Sequence, residues 1–176
     1  MTETETMDFL AEPGHLVRVG TVDGGGVPLV SPAWYLVDDG RLWVTPRAKS
    51  GWLHHLEGHP AACFTIDEDV GTYRKVIVRG DVEIRQRPGD DELWRDLYRR
   101  IVLRYWAPAR ADAYLASTRH LTRALIALPF DYRQPGVSTW RLPAADEDQG
   151  GIWARRYWEP VTPADGVAPD RLPTQR

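Results

Sequence analysis

The chain has 176 residues, 43% of them apolar and 27% charged, with 22 Lys and Arg against 25 Asp and Glu for a net charge of −3. That length suits one domain able to bury a core without staples, and the near-neutral charge argues against non-specific nucleic-acid binding. A lone cysteine, Cys63, excludes an intramolecular disulfide; the acidic start is unlike a secretory signal, and no apolar run reaches a membrane span, so a soluble, cytoplasmic protein is expected.

Residues 1–13 are polar and acidic and are expected to be disordered. Leu16–Val22 alternates as a strand, Asp23-Gly24-Gly25-Gly26 turns it, and Val27–Val37 reads as a second strand, which together signal a hairpin. The glycines do not make a phosphate loop, because such a loop leads into a helix and this one leads into a strand. Pro32 marks an edge or a bulge of that second strand. Asp38-Asp39-Gly40 turns the chain again, and Arg41–Thr45 forms a third strand.

A basic turn follows, with Arg47 and Lys49, and Ser50 is placed as the N-cap of a short helix over residues 51–57. Trp52, Leu53 and Leu56 form its apolar face, and Gly58 closes it. No acidic residue occurs between Leu42 and Leu56. A strand end, two cations and a helix start make a candidate socket for an anion such as a phosphate; the alternative is an ordinary corner with solvated cations. His54, His55 and His59 are read as surface residues. Gly58 and Pro60 end the helix before His59, and no carboxylate cluster or cysteine pair completes a metal set. No metal site is predicted.

Ala61–Ile66 is a fourth strand and Asp67-Glu68-Asp69 an acidic loop. Arg74–Arg85 reads as one long fifth strand with Gly80 at a bulge and Val76, Val78, Val82 and Ile84 inward. From Asp90 the period changes. Leu93, Trp94, Leu97, Tyr98, Ile101, Val102 and Tyr105 fall at helical spacing, and Arg95, Arg99, Arg100 and Arg104 form a solvated face. A second helix is expected over Pro108–Ser117, then strands over Ala124–Phe130 and Val137–Leu142. Residues 144–151 read as an acidic loop, 152–158 as an aromatic and basic segment, and 160–176 as a flexible proline-rich tail. One folded domain over residues 14–159 is the expectation, mainly β with helices (α+β).

The order of these elements resembles the pyridoxamine 5′-phosphate oxidase-like superfamily of flavin-binding split β-barrels. The resemblance rests on the strand with Pro32-Ala33-Trp34-Tyr35, the strand to Thr45 with its basic turn and short helix, the Tyr73-Arg74-Lys75-Val76 strand with Gly80, and the closing strand with Trp140-Arg141. The helical pair over residues 90–118 is similar to an insertion in a subgroup of bacterial members.

The resemblance implies a homodimer with the cofactor at its interface. Arg47, Lys49 and Ser50 would then hold a flavin phosphate, with Thr45 and Pro46 along the ribityl chain. Pro32, Ala33 and Trp34 would present backbone to the ring, and Trp140 and Arg141 would reach the partner's flavin. Many members carry a lysine where this chain has Trp52; Lys49 or Lys75 would have to compensate. The implied activity is that of an FMN-dependent oxidoreductase acting on a small molecule, with no nucleic-acid or membrane partner. The alternatives are an F420-dependent reductase, with Arg74, Lys75 and the insertion's arginines as a basic groove, and a haem-binding or non-catalytic split barrel using His54 or His55. No obligate acid or base is evident, although Tyr73, His120 or Tyr132 could serve. The substrate-side residues of true pyridoxine-phosphate oxidases are not recognisable, so that activity is not predicted.

Overall fold

A computed structural model describes residues 1–142; the expectations for residues 144–176 lie outside them. In chain order the elements are α1 (Glu3–Ala11), β1 (Val17–Val22), β2 (Pro28–Ala33), β3 (Tyr35–Asp38), β4 (Arg41–Val44), α2 (Gly51–Gly58) and β5 (Ala61–Asp67). Then come β6 (Lys75–Asp81), β7 (Glu83–Gln86), a 3₁₀ turn (Asp91–Trp94), α3 (Arg95–Leu103), α4 (Pro108–Ser117), β8 (Leu125–Pro129) and β9 (Val137–Trp140).

The strands form two antiparallel sheets, one ordered β2-β1-β5-β6-β9 and the other β3-β4-β8-β7. This is the α+β split barrel anticipated above. Pro32 does lie on an edge strand, paired only on its β1 side. The two longest expected strands are each divided, however. The chain leaves the first sheet at Trp34 and again at Val82, so that residues 27–37 and 74–85 each serve both sheets. Alternating apolar residues continue through both crossings, which is why each stretch reads as one strand. Gly80 sits in regular register opposite Ala62 rather than at a bulge. A side chain there would come within 3.4 Å of the Leu128 side chain, so the glycine permits a close approach between the sheets.

The barrel interior is filled from facing strands by Val17, Val19, Phe64, Ile66, Val76 and Val78 on one side and Tyr35, Leu42, Val44, Ile126 and Leu128 on the other. Each such side chain stabilises the fold by about 1.5–3 kcal/mol relative to exposure. The outer face of the second sheet is covered by the helical insertion, where Leu36 and Leu125 meet Trp94, Tyr98, Ile101, Val102, Ala111 and Leu115. With both faces covered, β8 is buried along almost its whole length. Leu93 departs from the expected apolar face and is 76% exposed, because the tighter 3₁₀ turn rotates it away.

Residues 1–13 are not disordered. Thr2 and Glu5 form a capping box at the start of α1, and Phe9 and Leu10 are fully buried in the barrel core. The Tyr35 hydroxyl and the Arg104 guanidinium both donate to the Leu10 carbonyl, at 3.0 and 2.8 Å. The arginines of α3 are likewise fasteners rather than a free solvated face. Arg99 pairs with Asp112 at 2.7 Å, Arg100 with Asp38 at 2.9 Å, and Arg95 donates to the Leu115 carbonyl.

Candidate functional site

The crossing at Trp34, the end of β4 and the start of α2 enclose a cavity of about 350 Å³. Pro32, Ala33 and Trp34 line it from the crossing, Thr45, Pro46, Arg47 and Ser50 from the basic turn, and Trp52 from the helix. Local chemistry explains the convergence. Pro32 lacks an N–H and sits where β2 leaves its only partner, and the next residues turn into the other sheet. The Tyr35 N–H lies at that switch and is satisfied at 3.1 Å by the Tyr105 hydroxyl, which donates onward to the His15 carbonyl at 2.8 Å. Trp34 stacks on the same Tyr105 ring at 5.0 Å and meets Trp106 and Tyr114 edge-on. The insertion therefore holds the crossing in place.

The basic turn is sewn to the segment before β8. Ala48 N–H donates to the Thr122 carbonyl at 2.9 Å, Ala124 N–H donates to the Pro46 carbonyl at 3.0 Å, and Arg47 and Arg123 face each other in an antiparallel bridge. Ser50 is the N-cap of α2, but its hydroxyl makes no capping bond; its carbonyl accepts from the Leu53 and His54 N–H groups. The expected capping role of that hydroxyl is not realised, and Ser50 lines the cavity instead. Trp52 is 8% exposed and packs into the barrel core while also forming cavity wall.

Leu16, Tyr98, Tyr114 and Arg123 complete the lining, and none of them is singled out by the sequence as a site residue. Arg123 is 8% exposed. One terminal nitrogen donates to the Thr45 carbonyl at 2.9 Å, the other to the Tyr114 hydroxyl at 3.0 Å, and its Nε is buried without a partner. Its guanidinium lies 4.9 Å from the centre of the Tyr98 ring, whose hydroxyl donates to that of Tyr114. Burial pushes the Tyr98 phenol up from its ordinary range, so it remains a protonated donor at neutral pH. Among the described residues, no Asp or Glu lines the cavity.

The remaining candidates lie elsewhere. Lys49 is exposed in the turn but does not line the cavity. Lys75 sits opposite Trp140 on β6, its ammonium 5.2 Å from the indole, and Arg141 pairs with Glu5 of α1 at 3.0 Å. None of these three lines the cavity within this chain. Tyr73 is exposed, Tyr132 donates to the Met1 carbonyl, and His120 is exposed, so the suggested acid–base candidates are away from it as well. His54 pairs with Glu57 at 3.2 Å and His55 lies 3.1 Å from the Thr21 hydroxyl.

Among the described residues, Glu12, His15 and Glu68 bring possible ligand atoms within 4.8 Å of one another. Arg74 bridges the two carboxylates, at 2.7 Å to each, and supplies the positive charge there. It holds the Glu68 carboxyl at a pKa of about 2, well below its ordinary 4.5.

The family model for pyridoxamine 5′-phosphate oxidase matches residues 2–130. No curated protein matches the sequence significantly. Solved structures with a similar fold include a conserved hypothetical protein of Mycobacterium tuberculosis, with a TM-score of 0.65 at 22% identity over 84% of this chain and 92% of that one. The haem storage protein HutZ of Vibrio cholerae has a TM-score of 0.58 at 19% identity, covering 77% and 92%. An FAD-binding protein of Mesorhizobium loti has a TM-score of 0.53 at 18% identity, covering 79% and 92%.

Proposed function

The chain belongs to the pyridoxamine 5′-phosphate oxidase family, and from that premise we propose that it is an oxidoreductase that binds FMN in the cavity beside Trp34 and acts on a small molecule. The observation that carries this reading is the charge of the cavity: Arg47 and the buried Arg123 both line it, and no carboxylate among the described residues does. A phosphate answers that imbalance, and Trp34, Trp52 and Tyr98 offer flat surfaces suited to a ring system. FMN bound there would supply the hydride chemistry, and the protein would supply binding, orientation and exclusion of water.

Arg47 and Ser50 would take the phosphate, Thr45 and Pro46 would flank the ribityl chain, and the Pro32–Trp34 backbone would meet the polar edge of the ring. The burial that keeps Tyr98 protonated makes it a hydrogen-bond donor rather than a base. Homodimer formation is part of the same proposal. Val22 and Val30 are exposed on the same face of the β1–β2 hairpin, with the exposed Val27 between the two strands and Val30 62% exposed, and an apolar row of this kind favours a second copy. Lys75, Trp140 and Arg141 would then act toward the partner's site. A reducing, cytoplasmic setting suits the free, half-buried Cys63 thiol.

Similar folds occur in an FAD-binding protein and in a haem storage protein, and this chain's own residues favour FMN over the alternatives. Most of the arginines that would make a groove for the oligoglutamate tail of F420 are occupied, Arg74 by Glu12 and Glu68, Arg99 by Asp112 and Arg100 by Asp38, whereas among the described residues Arg110 and Lys75 meet only the Trp106 and Trp140 rings. Haem iron needs an axial ligand, and neither His54 nor His55 lines the cavity.

The visible spectrum of freshly purified protein tests the reading. Yellow colour with flavin fluorescence is the expected result. A sharp Soret band, or a colourless protein that binds added F420 and not FMN, overturns it.

A further inference from the structure

Arg123, opposite Arg47, counts toward the charge of the cavity, but no group of the ligand has yet been assigned to it. Arg123 is more than nine-tenths buried, and of its five N–H donors only two are spent, on the Thr45 carbonyl and the Tyr114 hydroxyl. Both acceptors are neutral. Among the described residues no carboxylate forms an ion pair with Arg123 or with Arg47, although most other arginines of the fold have one. The two arginines are bridge partners, which sets their side chains on the same side of the backbone pair, and both line the cavity. Like charges placed directly opposite destabilise a β pair, and a buried unpaired guanidinium carries a desolvation cost. An arrangement that accepts both costs is arranged for an anion supplied from outside.

Trp52, on the first turn of α2, lines the same cavity and carries no charge, which leaves Arg47 and Arg123 as its cations among the described residues. We propose that Arg123 is the second cation, beside Arg47, of a phosphate subsite in this cavity, held there by the segment before β8. Tyr114 holds its guanidinium in place, and Thr45 fixes its depth. The ligand class is a phosphate ester, the chemistry shared by FMN and by F420. The inference rests on the flavin reading for the identity of the ester, though not for the anion itself.

Titration of cofactor-free protein with FMN and with riboflavin, which lacks the phosphate, isolates the subsite. Wild-type protein prefers FMN. In Arg123→Met that preference falls by about tenfold or more, while riboflavin affinity changes little, and Arg123→Lys recovers part of the preference. A preference that stays unchanged while both flavins weaken equally overturns the proposal, because Arg123 would then only position Thr45 and Tyr114. Should Arg123→Met not fold by circular dichroism, Arg47→Ala supplies an independent reading. There the preference for FMN persists in part because Arg123 still faces the phosphate, and its complete loss overturns the proposal. If wild-type protein binds neither flavin, the flavin reading fails on its own. The anion subsite is then decided by inorganic phosphate: a rise in Tm seen in wild type, kept in part by Arg123→Lys and absent from Arg123→Met, supports it, and no rise in wild type, or a rise equal in all three, overturns it.

Discussion

Arg47 and Arg123 stand opposite each other across an antiparallel bridge, one exposed and one buried; the buried guanidinium meets the neutral Thr45 carbonyl and Tyr114 hydroxyl, while the Arg123 backbone N–H donates to the Asp91 carboxylate at 2.8 Å. The bridge turns a loose basic loop into part of a cavity wall, because hydrogen bonds on either side of it fix the turn against the segment before β8. The position of Arg47 is thus set by backbone, whereas Lys49, two residues on, is exposed and outside the cavity.

This difference separates two cations that look alike in the sequence. A charge-assisted contact contributes about 1.5–3 kcal/mol, so Arg47→Ala is expected to weaken FMN binding about ten- to hundredfold. Lys49→Ala should change it by less than about threefold, within the range of a screened surface charge. Flavin fluorescence titration reads both. Equal losses in the two variants would place the phosphate in the solvent-facing turn instead of the cavity.

Tyr105 is expected to matter through its hydroxyl as much as its ring. Tyr105→Phe keeps the stack on Trp34 but leaves the Tyr35 N–H without its acceptor and the His15 carbonyl without its donor. An unsatisfied buried group costs about 1–3 kcal/mol, which corresponds to a fall in Tm of about 3–10 °C for a chain of this size. Thermal unfolding followed by circular dichroism measures it. An unchanged Tm would show that the sheet crossing does not depend on this contact.

The regions legible in the sequence are those where a local pattern and its tertiary use coincide. The α2 corner reads correctly because a strand end, a turn and an apolar helix face are adjacent in the chain, and β5 shows its alternation in its burial. The two crossings do not read, because a period of two reports which side a residue faces and not which sheet it belongs to. The start of the chain is misjudged from its polarity, although Thr2-x-x-Glu5 spells a capping box ahead of Phe9 and Leu10. Arg123 was out of reach for a different reason. Its burial depends on the Thr45 carbonyl, 78 residues earlier, and on Tyr114 from the insertion, so nothing in the neighbouring sequence marks it.

Arg74 links α1 to the loop before β6 and should make stability depend on pH in acid. It donates to Glu68, whose pKa falls from 4.5 to about 2, and it also lowers that of Glu12. A carboxyl depressed in the folded state contributes stability that is fully present above its unfolded pKa and is lost as pH falls through the folded one. Arg74→Ala should therefore lower Tm most near neutral pH, at a cost of about 1–3 kcal/mol. The gap from wild type should narrow below pH 4.5 and nearly close toward pH 2. A gap constant across that range would assign the loss to the packing of the Arg74 guanidinium on the Phe9 ring, 4.6 Å away, and not to its charge.

Gly136 is the position where β9 joins the first sheet, and it is expected to tolerate no side chain. Its φ is +95°, a Cβ there would lie 2.5 Å from the Arg79 carbonyl oxygen, and its own carbonyl accepts the Arg79 N–H at 3.0 Å. Gly14 has a similar φ of +92° with nothing within 4 Å of the corresponding Cβ, which makes it an internal control. Gly14→Ala should cost only the left-handed backbone penalty of about 1–2 kcal/mol. Gly136→Ala adds a clash with backbone that cannot move without opening the β6–β9 ladder, so its loss in Tm should be at least twice as large. The same variant should loosen Trp140, which is held opposite Lys75 by that ladder, and tryptophan fluorescence would report the change. Equal costs at the two glycines would mean that β9 can shift away from Arg79 while keeping its pairing, and that its place in the sheet is held elsewhere.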